Sequence, residues 1–219
     1  MRFRFIAVAV TVLGLHLSAP AEGQDLQLQR GNELLERGDF AAAERLFRDA
    51  LSAEPGNLVY RSQLGLVLIR QKRHEEAERE LRQVLSQDPN EVGTLWYLAL
   101  NSYFAGSYRE AATRFKRVVP MLDRRSGQYY SAHWFIGTCW ETVLLRKQAD
   151  VTSAITGGAG PDQAGLSHPE VDEMIDAYKK YLDLQPRAPD RSSIEQFLTW
   201  VAKNRPPANV TRWIIVNQP

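Results

Sequence analysis

The chain has 219 residues, of which 27 are Lys or Arg and 26 are Asp or Glu, so its formal net charge at pH 7 is +1. This balance argues against nucleic acid as the main partner, because chains that bind nucleic acid usually carry a marked excess of basic residues. Cys139 is the only cysteine, so no internal disulfide can form, and we expect the thiol to be buried.

Residues 1–21 have the pattern of a signal peptide. The segment starts with two arginines, continues with an apolar run over 6–17 and ends in Ala-Pro-Ala at 19–21. The apolar run is shorter than the roughly 20 residues that a membrane span needs. We therefore predict cleavage after Ala21 and an exported protein, periplasmic or secreted, with no membrane span after cleavage. Without this segment the net charge is −1, since it holds two basic residues and no acidic one.

A pattern of small, large and proline residues recurs every 34 residues along the next part of the chain. The stretch "FAAAERLFRDALSAEP" at 40–55 returns as "HEEAERELRQVLSQDP" at 74–89. Self-similarity at a fixed period of this size is typical of stacked repeat proteins. The aligned columns are Gly31, Gly65 and Ala99; Ala43, Ala77 and Ala111; Phe47, Leu81 and Phe115; Ala50, Val84 and Val118; and Pro55, Pro89 and Asp123.

Each repeat is predicted to contain two helices. Apolar residues recur at i, i+3, i+4 and i+7, and turn-forming stretches such as "RGDF" at 37–40 and "AGSY" at 105–108 separate the two helical patterns. Small residues allow two helix backbones to cross closely, and the large residues fill the remaining groove. The prolines end the second helix of a pair. The pattern therefore predicts an all-α stack of helical pairs.

These columns resemble the tetratricopeptide repeat, a 34-residue helix–turn–helix unit. The resemblance implies a right-handed α-solenoid with repeats at 24–57, 58–91 and 92–125. Matching residues are Gly31, Ala43, Phe47, Ala50 and Pro55 in the first repeat; Leu64, Gly65, Ala77, Leu81 and Pro89 in the second; and Leu95, Leu98, Ala99, Ala111 and Phe115 in the third.

A fourth, divergent repeat is predicted over 129–186. The stretch "WFIGTCW" at 134–140 resembles a first helix, and "MIDAYKKYLDLQP" at 174–186 resembles a second helix. Its glycine and final proline lie 49 residues apart, against 24 in the first repeat, so about 25 residues are inserted. We place this insertion at about 148–169, after a first helix that reaches about Lys147, because its glycine-rich centre has the composition of a loop.

The C-terminal part of the chain is predicted to close the stack. Residues 190–204 carry apolar side chains at helical spacing and are interpreted as a capping helix, since the end of a stack of repeats exposes apolar surface. Residues 205–219 form a tail that is too short to classify, and we expect it to lie across the stack or to contact a partner. The predicted fold class is thus an all-α solenoid with a C-terminal capping helix.

The resemblance also implies a place for a partner. Members of this family usually bind extended peptides or partner helices on the surface made by the first helices, here called the inner face. This surface turns from aliphatic to aromatic along the stack, and aromatic side chains are the usual anchors of interfaces. The alternative is that these aromatic residues only pack the repeats together. The family's inner-face positions correspond to Leu28, Asn32, Leu35, Ser62, Leu66, Ile69, Trp96, Leu100, Tyr103, Trp134, Thr138 and Glu141.

The sequence favours a binding scaffold over an enzyme. Three histidines after residue 21 lack the spacing of metal ligands, and we predict no catalytic residue, no metal and no cofactor. The predicted partner is a protein or peptide of the cell envelope. The alternative function is an enzyme, or an accessory subunit of an enzyme complex, in which the insertion at 148–169 is a lid over a site near His133 and Glu141.

Overall fold

The computed structural model describes residues 22–145, 166–210 and 213. Apart from one β-bridge, the regular structure of these residues is helical. The predicted signal peptide at 1–21, the predicted helix end near Lys147 and most of the predicted insertion lie outside the described residues. The helices are α1 (Glu22–Glu36), α2 (Phe40–Ala53), α3 (Leu58–Arg70), α4 (His74–Gln87), α5 (Val92–Phe104), α6 (Tyr108–Val118) with a 3-10 turn (Val119–Met121), α7 (Gly127–Leu144), α8 (His168–Leu184) and α9 (Arg191–Asn204).

The turns inside the first three helical pairs share one backbone feature. Gly38, Lys72 and Gly106 follow one another at intervals of 34 residues, and their φ angles are +75°, +63° and +79°. Glycine adopts this left-handed conformation without steric cost, whereas a lysine carries a Cβ that is crowded there. The predicted turns at 37–40 and 105–108 thus end the first helix of their pair in the same way.

The helices stack in chain order, and each packs against the next. Close crossings explain the glycine column. A Cβ added to Gly31 would overlap Cζ of Phe47, and one added to Gly65 would lie 2.5 Å from Cδ2 of Leu81. Both positions are far inside van der Waals contact, so a side chain at either glycine would have to displace a fully buried large residue. The all-α solenoid predicted from the repeated pattern is confirmed.

The pair α7 and α8 repeats this crossing at a larger sequence separation. A Cβ on Gly137 would lie 2.6 Å from Cδ1 of Tyr178, in the same relation as Gly31 to Phe47. The two residues are 41 positions apart, against 16 in the first repeat, and the difference of 25 equals the predicted length of the insertion. The packing therefore supports the interpretation of α7 and α8 as a fourth helical pair.

α8 begins earlier than the repeat pattern predicts. Its first residue is His168, whereas the predicted insertion extends to 169 and the predicted helical stretch starts at 174. Ser167 and Glu170 form a capping box, in which the Ser167 backbone N–H donates to Glu170 Oε2 at 2.7 Å. This reciprocal cap satisfies free backbone donors of the first turn and stabilises the earlier start.

The end of the stack is covered by α9 and by the first part of the tail. α9 packs against α8, with Val201 fully buried, as a capping helix would. Trp213 exchanges two backbone hydrogen bonds with Leu166, at 2.7 and 2.9 Å, and its ring stacks on Trp200 with centroids 5.8 Å apart. The described part of the tail thus lies against the end of the stack. Within the described ranges, no helix has the length and apolar character needed to cross a bilayer.

Candidate functional site

The twelve predicted inner-face residues divide into a buried and an accessible set. Five of them are at most 7% exposed and pack inside the stack, and the other seven are exposed or half-buried. Only the second set can contact a partner in this structure, and its role in binding stays a prediction. The buried residues are Ser62, Leu66, Ile69, Trp96 and Leu100; the accessible residues are Leu28, Asn32, Leu35, Tyr103, Trp134, Thr138 and Glu141.

Trp96 shows why the buried set is buried. Its ring is 3% exposed and meets Phe115 of α6 and Phe135 of α7 edge to face, with centroid distances of 5.1 and 6.1 Å. These T-shaped contacts hold three consecutive helices together. For Trp96, packing between repeats is therefore the better interpretation of the aromatic pattern.

Four other aromatic side chains form an accessible surface, here called the aromatic patch. It consists of Tyr103 and Phe104 at the end of α5, Tyr108 at the start of α6, and Trp134 on α7. Tyr103 contacts Phe104 and Tyr108 with centroids 5.5 and 5.7 Å apart, and both Tyr103 and Trp134 rest on the buried Phe135. Phe104 is 52% exposed, although the predicted inner-face set does not include it.

Hydrogen bonds tie the α7 part of the inner face to α8 and to the turn after it. Trp134 Nε1 donates to Asp190 Oδ2 at 2.7 Å, and the Tyr181 hydroxyl donates to Asp190 Oδ1 at 3.0 Å. About two turns further along α7, the Tyr178 hydroxyl donates to Glu141. Trp134 and Glu141 are thereby held in fixed orientations, and the two carboxylates are brought near each other. Sequence reasoning missed the three residues that do this, Tyr178, Tyr181 and Asp190.

Glu141 is electrostatically unusual for a surface carboxylate. Burial raises its pKa, the hydrogen bond from Tyr178 lowers it, and the negative charge of Asp190 raises it, so that the net shift is upward. Among the described residues, neither carboxylate forms an ion pair, whereas eleven pairs lie elsewhere. Together with the aromatic patch, this surface can contact apolar and basic side chains.

Two residues near the site of the enzyme alternative, His133 and Cys139, pack inside the described structure. His133 packs edge to face on Tyr129 at 4.9 Å, and burial together with the charge of Lys180 lowers its pKa. Cys139 is fully buried, and this burial raises the pKa of its thiol to about 12, which leaves it un-ionised and unreactive near neutral pH. No group of three metal-ligating side chains occurs in the described ranges.

Comparison with known proteins agrees with this fold. Residues 34–101 match the tetratricopeptide repeat family. Two similar solved structures are MamA from Desulfovibrio magneticus RS-1, from residue 41 to its end, and a double mutant of MamA RS-1. For each, the TM-score is 0.56, the sequence identity is 16%, and the match covers 84% of this chain and 96% of that chain. At this identity the likeness concerns the fold alone, and no curated protein matches the sequence. The match over 34–101 and the stacked helical pairs lead to one conclusion: this part of the chain is similar to the tetratricopeptide repeat family in sequence and in fold.

Proposed function

We propose that the protein is an exported interaction scaffold that binds a peptide or helix of a cell-envelope protein on its inner face. A tetratricopeptide repeat solenoid is a protein-interaction scaffold, and such scaffolds are typically non-enzymatic. The observation that carries the proposal for this chain is the aromatic patch, in which Phe104 is 52% exposed beside a buried aromatic core. Apolar side chains exposed next to one another mark interaction sites.

The patch has the composition of an interface centre. Aromatic residues bury a large area at low cost in side-chain entropy, and they dominate the energetics of many interfaces. Tyr103 and Trp134 are already held by Phe135 and Asp190, so binding would order few further side chains. A partner segment with apolar residues, flanked by a basic residue near Glu141, would suit this surface best.

A test of the patch compares two serine substitutions on accessible apolar residues. Phe104→Ser removes the most exposed ring of the patch, and Met121→Ser is the control, because Met121 is 37% exposed in the 3-10 turn outside the patch. A partner is first captured by cross-linking in the envelope of the source cells, and its purified form is then titrated against both variants. We expect Phe104→Ser to weaken binding at least about tenfold and Met121→Ser to leave it unchanged. Equal affinities for both variants would exclude the patch as the binding surface.

Export is a separate part of the proposal, and it rests on the signal-peptide pattern of residues 1–21. The expected mature chain begins at Glu22. N-terminal sequencing of the protein recovered from fractionated source cells measures this directly. A chain that retains Met1 and stays with the cytoplasmic fraction would exclude export without affecting the binding proposal.

A further inference from the structure

The second helices of the stack form an outer face, and one cleft on this face departs from the repeat pattern. In the first two repeats, Arg61 of α3 occupies the space between α2 and α4. Its guanidinium donates to Glu80 Oε2 at 2.8 Å, to Gln83 Oε1 at 3.0 Å and to the Pro55 carbonyl at 3.0 Å. A long, charged side chain thus fills the cleft and joins the two repeats.

The equivalent cleft between the second and third repeats is not filled. Leu95 stands 34 positions after Arg61, Arg114 stands 34 positions after Glu80, and Arg117 stands 34 positions after Gln83. Arg117 donates to the Pro89 carbonyl at 3.1 Å and so reaches the corresponding proline from the opposite helix. Because a leucine cannot span the space that an arginine fills, a cavity of about 530 Å³ remains between α4 and α6.

The rim of this cavity is basic. Arg82, Arg114 and Arg117 line it. Arg114 is held in place by Glu78 at 2.6 and 2.8 Å and by Glu110 at 2.7 Å, and Arg82 also pairs with Glu78. Among the described residues Arg117 has no carboxylate partner, and its exposed guanidinium keeps donors beyond the one used on Pro89. Three guanidinium groups therefore face two carboxylates, which leaves one positive charge uncompensated.

The inner wall of the same cavity is apolar. Leu95 and Leu98 of α5 are at most 7% exposed and line it together with the half-buried Leu85 of α4. A volume of this size lies within the roughly 300–1,000 Å³ of small-ligand sites, which combine an apolar lining with a few polar anchors. Guanidinium groups bind carboxylates through paired, charge-assisted hydrogen bonds.

We propose that this cleft binds a ligand that joins a carboxylate to an apolar group. The carboxylate lies on Arg117 and Arg82 at the rim, and the apolar group packs on the leucines of the inner wall. The C-terminal residue of a polypeptide and a free aliphatic carboxylic acid both have this chemistry. The cleft lies on the outer face, so this inference does not depend on partner binding at the aromatic patch.

The test uses two probes that separate the two sources. The first is an N-terminally fluorescein-labelled peptide Gly-Ser-Gly-Ser-Leu, followed by fluorescence anisotropy as a free acid and as its C-terminal amide. The second is decanoate, followed by calorimetry. We expect at least one of the two acids to bind. The C-terminal amide lacks the negative charge of the free-acid peptide, and it should bind at least about tenfold more weakly. Binding of the peptide alone identifies a polypeptide C-terminus, and binding of decanoate alone identifies a small acid.

Three variants separate the cleft from non-specific attraction. Arg117→Gln removes the unpaired guanidinium and should weaken binding at least about tenfold. Ser86→Phe places a ring on an exposed residue that lines the cavity, and it should block binding without changing the charge. Arg37→Gln removes an exposed arginine far along the chain from the cleft and should have no effect.

The inference fails under any of three results, provided that circular dichroism shows each variant to be folded. The first is that neither acid binds. The second is that the amide binds as tightly as the free acid. The third is that Arg117→Gln and Arg37→Gln bind the acid with equal affinity. The first result would exclude the ligand class. The other two would exclude recognition of the carboxylate by the arginines of the cleft.

Discussion

Substitution of Gly137 by alanine probes the helix crossing that defines the fourth repeat. The added Cβ would lie 2.6 Å from Cδ1 and 2.7 Å from Cε1 of Tyr178. To restore an ordinary contact of 3.4 Å, the ring and the helix backbone would have to separate by about 0.8 Å. The ring is 2% exposed, and its hydroxyl is bonded to Glu141, so it cannot swing aside as an exposed side chain would.

The expected loss of stability follows from two opposing effects. Overpacking of a well-packed site costs about 1–3 kcal/mol, whereas alanine is favoured over glycine inside a helix by about 0.5–1 kcal/mol. With the middle of each range, the net effect on the free energy of unfolding is a decrease of about 1 kcal/mol. For a chain of this size, that corresponds to a fall in Tm of about 2–4 °C.

The assay is urea and thermal denaturation followed by circular dichroism, with Gly127→Ala as the matched control. Gly127 is the first residue of the same helix, and the nearest atom to an added Cβ, the Tyr130 hydroxyl oxygen, is 3.4 Å away. The control should therefore be at least as stable as the original chain. If Gly137→Ala were as stable as Gly127→Ala, the close crossing of α7 and α8 would be refuted.

Three further predictions concern titratable groups. Glu141→Gln should raise the free energy of unfolding at pH 7, because burial raises the pKa of Glu141 and its ionisation costs stability. The gain in stability should shrink as the pH falls towards the ordinary pKa of 4.5. A gain that is independent of pH in urea denaturation would contradict this. At Glu44, partial burial raises the pKa, but hydrogen bonds from Gln71, Arg73 and Arg48 outweigh it and lower the pKa to about 2. The stability that Glu44 contributes should then be present above pH 4.5 and lost between pH 4.5 and about 2, so acid unfolding of Glu44→Gln should be less steep there; an unchanged slope would count against the network. The thiol of Cys139, whose pKa is raised to about 12, should react with Ellman's reagent at pH 8 only after unfolding in urea, and a fast reaction of the folded chain would contradict its burial.

The repeat architecture could be predicted because its cause is local and periodic. A small residue at one helix position and a large side chain 16 residues later form the same helix crossing in successive repeats, as at Gly31 with Phe47 and at Gly65 with Leu81. The beginning of α8 could also have been predicted from the sequence, because "SHPE" at residues 167–170 is a capping-box pattern. Alignment to the repeat alone placed the helix start too late, because the cap and not the repeat determines where α8 begins.

The accessible surface could not be predicted in the same way, because exposure depends on neighbours that the sequence does not specify. Trp96 and Phe104 lie on the same helix. Two phenylalanines, Phe115 and Phe135, cover the Trp96 ring, whereas the Phe104 ring is exposed to solvent. The replacement of Arg61 by Leu95 in the next repeat is visible in the sequence. The basic cavity that results could not be predicted, because the orientations of Arg114 and Arg117 depend on how the helices pack.

Binding of a protein partner at the aromatic patch of the inner face can be tested by site-specific photo-cross-linking. A photoreactive phenylalanine analogue is introduced at position 104 in one variant and at position 121 in another, and both are expressed in the source cells. We expect light to link a defined partner protein to the chain through position 104 and not through position 121. No adduct at position 104, or the same adducts at both positions, would contradict it.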